Sequence, residues 1–114
     1  MKYALLIYDL PGNYDDLTDS EREAVSGEYF AITEAPDVYG GAQLRPTETA
    51  TTVRVEDGQT LTTDGPFADT KEFLGGFYLL DADDLDAALA IAARIPAARM
   101  GGAVEVRPVV EYPR

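Results

Sequence analysis

The stretch Thr62-Thr63-Asp64-Gly65-Pro66-Phe67-Ala68-Asp69-Thr70-Lys71-Glu72 holds the chain's densest set of polar and conformationally special residues. An aspartate ahead of Gly-Pro can accept backbone amides in an Asx-type turn, while Gly65 supplies unusual backbone angles and Pro66 fixes the next one. That is a structural use of Asp64. The chemical use is that the turn lifts Asp64 into a pocket beside Phe67, where partial loss of water raises a carboxyl pKa and suits the group to acid or base work. Lys71, seven residues on, shares that site if 68–72 forms a helical turn; its other use is an ion pair with Asp69 or Glu72. Tyr8 and Asp9 close the first apolar stretch, where side chains reach the cleft between sheet and helices, although Tyr8 also suits a core. Arg45, next to Pro46, and Arg54 are the available anion anchors, with Arg54 on a solvated strand face. The candidate site is therefore Asp64 as acid or base, with Tyr8, Asp9, Arg45, Gly65, Pro66, Phe67 and Lys71 as binding residues.

Other chemistries are excluded by composition. The chain has no His and no Cys, which removes Ser-His-Asp and Cys-His catalysis, His or Cys zinc and haem ligation, thiol redox chemistry and disulfides. Gly40-Gly41, Gly75-Gly76 and Gly101-Gly102 are isolated pairs and not a phosphate-binding loop. Nine Lys and Arg face 21 Asp and Glu, a formal charge of −12, so nucleic acid and anionic membranes are poor partners. The acids crowd at Asp15, Asp16, Asp19, Glu21 and Glu23 and again at Asp81, Asp83, Asp84 and Asp86, both ahead of helical patterns, where carboxylates complement a helix N-terminus. Neither cluster has the alternating ligands and glycine of a calcium loop. No cofactor and no metal is expected. The apolar runs are short and the opening is strand-like, which gives the expectation of a cytoplasmic protein.

The elements that must position these residues follow from periodicity. Residues 2–9 read as a strand with Tyr3, Leu5 and Ile7 on one face and Ala4, Leu6 and Tyr8 on the other, so both faces need cover. Thr18-Asp19-Ser20-Glu21 has capping-box form and opens a helix that carries Val25, Tyr29 and Ile32 and is weakened by Gly27 before Pro36 ends it. Val38 to Leu44 reads as a second strand. Residues 50–55 and 60–63 flank Asp57-Gly58 as a hairpin. Phe73 to Leu80 is again apolar on both faces, with a glycine pair that fits a bulge or a close backbone approach. A second helix is expected from Asp83, as cap, through Ile95 to Pro96. A last strand, Val104 to Tyr112, is broken by Pro108, which suits an edge. The order gives an α+β, ferredoxin-like (split βαβ) antiparallel sheet with two helices on one face and an inserted hairpin. Because no further helix covers the second face, two such sheets are expected to meet face to face in a homodimer, a dimeric α+β barrel.

Asp64-Gly65-Pro66-Phe67, the following Ala-Asp-Thr-Lys-Glu and Leu74-Gly75-Gly76-Phe77-Tyr78 resemble the DGPF-domain proteins of the YCII-related superfamily. The opening Met1-Lys2-Tyr3-Ala4-Leu5-Leu6-Ile7-Tyr8, the strand Thr49-Ala50-Thr51-Thr52-Val53-Arg54, the segment Ala92 to Ala98 and the closing Val104-Glu105-Val106-Arg107-Pro108 are similar to that family's pattern. The resemblance covers nearly the whole chain and implies the same dimeric barrel. It also implies a pocket in which some members carry a His and Asp acid/base pair, and one branch includes a dehydrochlorinase acting on a ring-cleavage product. Without His, this chain cannot carry that pair, and the role falls to Asp64. Members encoded beside extracytoplasmic-function sigma factors imply an accessory role in transcription control.

Three functions are compatible with these readings. The first is a dimer that binds a small molecule and acts as a cofactor-independent enzyme of lyase, isomerase or hydrolase type. The second is a non-catalytic regulatory or interaction module, with the sigma factor as partner. The third, a cofactor-free monooxygenase or oxidative ring-cleaving enzyme of the dimeric barrel architecture, rests on fold analogy alone.

Overall fold

The computed structural model describes residues 1–68 and 70–113. The first strand, β1 (Lys2–Asp9), alternates as its sequence requires, burying Tyr3, Leu5, Ile7 and Asp9 while Ala4, Leu6 and Tyr8 stay half-buried on the opposite face. Helix α1 (Asp19–Thr33) starts at a formed capping box: Thr18 Oγ1 accepts the Glu21 amide at 3.1 Å, and Glu21 Oε1 accepts the Thr18 amide at 2.9 Å. The backbone hydrogen bond from Thr18 holds the Glu21 carboxyl below its ordinary pKa. Strands β2 (Val38–Gln43), β3 (Thr51–Glu56), β4 (Gln59–Asp64) and β5 (Phe73–Asp81) follow, then helix α2 (Leu85–Ala92) and strand β6 (Ala103–Pro108).

Three element ends differ from the expectation. The cap of α2 is Asp84, whose Oδ1 accepts the Ala87 amide at 2.9 Å, and not Asp83. The helix also ends at Ala92, short of Ile95, because a residue before proline is driven out of the helical region and Ile95 is extended at ψ 123°. The last strand stops at Pro108, leaving Val110 and Tyr112 exposed beyond it.

The four-stranded antiparallel sheet runs β2-β5-β1-β6, consistent with a ferredoxin-like α+β fold, and Pro108 sits on an edge strand. Ile32 of α1 and Ala88 and Ala92 of α2 pack with Tyr3, Leu5, Ile7, Tyr78 and Leu80, so both helices cover one face and form the core there. The other face carries Leu6 opposite Phe77 and Ala4 opposite Leu79. Strands β3 and β4 form a separate hairpin, closed by Asp57 and Gly58 at φ 51° and 76°, the two positive angles of a type I′ turn. That hairpin stands away from the body. The radius of gyration is 16.2 Å, against about 13 Å for a compact chain of this length.

Candidate functional site

A cleft of about 980 Å³ opens between α1 and the helix-covered face of β1, β5 and β2. Gly40, Gly41, Gly75 and Gly76 are among its lining residues. At Gly75 the register between β1 and β5 slips: Ile7 faces Gly76 and Tyr8 faces Leu74, so Gly75 is the extra residue of a β-bulge. A Cβ at Gly75 would lie 2.6 Å from Asp9 Oδ2, so only glycine leaves the Asp9 carboxylate its present place.

Asp9 is 9% exposed, and among the described residues it is the charged side chain in the buried set. Its Oδ1 accepts the Tyr14 hydroxyl at 2.9 Å and the Asn13 amide at 3.4 Å. Since a carboxylate only accepts and a phenol has one hydrogen, the 3.0 Å contact between the Tyr14 and Tyr29 hydroxyls has Tyr29 donating to Tyr14. The result is an ordered chain from Tyr29 through Tyr14 to Asp9. Tyr78 closes the back by donating to the Tyr29 carbonyl at 2.9 Å, where Thr33 Oγ1 also donates at 3.1 Å. Burial is the main cause that raises the Tyr14 pKa, followed by its hydrogen bond to Tyr29 and then by Asp9; burial also raises that of Tyr29. Both phenols therefore keep their hydrogens at neutral pH. Arg22 stands at the rim, with Nη2 on the Asp15 carbonyl at 3.1 Å.

The structure separates the residues that the sequence grouped. Asp9 lies in the cleft, whereas Tyr8, its neighbour, points to the helix-free face. Asp64 ends β4, exposed and opposite Thr51, and the cleft lining does not include it. Gly65 is tied to the hairpin root: its amide donates to Ala50 at 2.8 Å and its carbonyl accepts Thr52 Oγ1 at 2.8 Å, with φ at 102°. The positive φ is the unusual backbone angle anticipated for Gly65, whereas no backbone amide among the described residues donates to the Asp64 carboxylate. Phe67 is 72% exposed and stacks under Arg54, whose Cζ lies 4.7 Å from the ring centre. Arg45 and Lys71 are exposed, and residues 70–72 are not helical. The ion pair considered between Lys71 and Asp69 lies outside the described residues.

Tyr14, Tyr29, Tyr78 and Arg22 escaped sequence reasoning. Tyr29 fits the apolar stripe of α1 and Tyr14 sits in a loop. The available signal was the glycine pair opposite a strand that ends in Asp9. Among the described residues no group of three or more His, Cys, Asp or Glu is placed to hold a metal ion, and no helix is long and apolar enough to cross a membrane.

The family model of the YCII-related domain matches residues 1–113. An uncharacterized protein of Rhizobium meliloti (strain 1021) is 39% identical over 117 residues, spanning 98% of this chain and 94% of the relative. On the match along residues 1–113, the chain belongs to the YCII-related family.

Proposed function

We propose that this protein binds a small organic molecule in the cleft between α1 and the sheet, and that the Asp9 carboxylate recognises it and can exchange a proton with it. The observation that carries this reading is the Tyr29–Tyr14–Asp9 chain at the bottom of the cleft. The two phenols fix the orientation of Oδ1 and leave Oδ2 as the open side of a carboxylate. A largely buried acceptor held in place by hydrogen bonds is what a cofactor-independent lyase, isomerase or hydrolase requires of its base. The same role was expected of Asp64. Its exposure and the hydrogen bonds of the neighbouring Gly65 favour a turn role there instead.

The reading includes a homodimer formed by the helix-free sheet faces, where Leu6, Phe77 and Leu79 lack cover from either helix. It places the protein in the cytoplasm. A regulatory role beside a sigma factor has the family resemblance as its support and no surface feature of its own.

Fragment screening by ligand-observed NMR tests the site. Hits that Asp9→Asn weakens and Asp64→Asn leaves unchanged are expected. The opposite pattern would move the site to the hairpin turn. Light scattering of the wild type and of Leu6→Asp tests the dimer, which the charge should disrupt.

A further inference from the structure

We infer that the cleft takes an organic amine, with its ammonium on Asp9 Oδ2 and its apolar body along α1. This inference rests on the cleft being the binding site. It follows from where the hydrogens at the bottom of the cleft already point. The Tyr14 hydroxyl hydrogen is committed to Asp9, that of Tyr29 to Tyr14, and those of Tyr78 and Thr33 to the Tyr29 carbonyl. Both amide hydrogens of Asn13 are committed as well, to Asp9 Oδ1 and to the Met100 carbonyl at 3.2 Å. What these groups still offer a newcomer is lone pairs. A ligand that meets these groups must therefore donate, and a carboxylate or a carbonyl placed at this end of the cleft finds no partner among them.

Charge narrows the class from donors to cations. Asp9 is buried, and neither salt bridge in the described structure involves it. An ammonium would supply the missing opposite charge in a site where water screens it poorly. The cleft lining also includes the aromatic residues Tyr14, Tyr29, Phe30 and Tyr78, side chains of the kind that favour organic cations. The net charge of −12 draws cations towards the protein. Arg22, the cation on the rim, precedes Tyr29 by seven residues, or about 10 Å along the helix. It keeps the ammonium at the Asp9 end.

The test compares phenethylamine with two close relatives, 2-phenylethanol and 3-phenylpropionate, by isothermal titration calorimetry on the wild-type protein at pH 7. Phenethylamine is expected to bind at least about ten-fold more tightly than the alcohol, and the acid more weakly still. Asp9→Asn should reduce amine affinity about ten-fold or more and alcohol affinity by a smaller factor, with an unchanged circular dichroism spectrum separating loss of charge from loss of fold. If the alcohol or the acid binds as well as the amine, the inference is overturned and the cleft stands as the site. If none of the three binds, both the inference and the cleft reading are overturned.

Discussion

Replacing Gly75 by Ala should damage the site through one atom. The added Cβ would stand 2.6 Å from Asp9 Oδ2, below the 3.0 Å that real contacts respect, and 3.6 Å from Cγ. The backbone itself tolerates alanine, since Gly75 is not among the residues with positive φ. The carboxylate must retreat, and Oδ1 moves with it, stretching the 2.9 Å bond from Tyr14. A hydrogen bond to a charged group contributes about 1.5–3 kcal/mol, and partial loss at a half-buried tyrosine costs about 1–2 kcal/mol. Alanine returns about 0.4–1 kcal/mol by restricting the unfolded chain. The net destabilisation is about 1 kcal/mol, or roughly 5 °C in melting temperature. Urea unfolding followed by circular dichroism reads it, with the same substitution repeated in an Asp9→Ala background. There the clash has no partner, and Gly75→Ala should become neutral or stabilising. An equal loss in both backgrounds would refute the reasoning and place the strain in the bulge backbone.

Stability should fall as pH rises above about 10. The unfolded tyrosines ionise near that value, whereas Tyr14 and Tyr29 hold their protons to higher pH when folded, so their contribution is complete below pH 10 and lost above it. The ceiling is about 1.4 kcal/mol per pH unit for each tyrosine, reduced because both rings are only half-buried. Alkaline urea titrations of the wild type and of Tyr14→Phe should show the steeper decline in the wild type. Asp84→Ala should cost about 1 kcal/mol in urea unfolding, and Asp83→Ala almost nothing, because Asp84 caps α2. Gly27→Ala, in the interior of α1 with open space where the methyl group would go, should stabilise by about 0.5–1 kcal/mol in the same assay.

The sheet, both helices and the hairpin were legible because each rests on a local rule that the chain obeys. Alternation in β1, the Thr18 and Glu21 box and Asp57-Gly58 need no knowledge of the rest of the molecule. The cleft was not legible in this way. Tyr14 reaches Asp9 from a loop and Tyr29 reaches Tyr14 from a helix, so their meeting depends on how α1 lies across the sheet. Asp64 drew attention because its neighbours are chemically unusual in sequence, but those neighbours close the root of the hairpin. Asp9 was visible as the end of a strand, yet its rank in the site depends on the burial that a single chain position cannot reveal.

The hairpin's root has a further consequence, for how such chains can change. Gln43 and Gly76 are neighbours across β2 and β5, and the Leu44 amide donates to the Gly75 carbonyl at 2.9 Å. The chain therefore leaves the sheet and returns to it at almost the same point, and the four-stranded order closes without β3 or β4. The β3–β4 hairpin between those points is an appendage on a finished scaffold. It can lengthen, shorten or be rewritten without re-registering a single core strand, as long as the neck stays shut. Because the neck is the Gly75 bulge that also seats Asp9, the one part of the appendage that cannot drift is the part that touches the cleft.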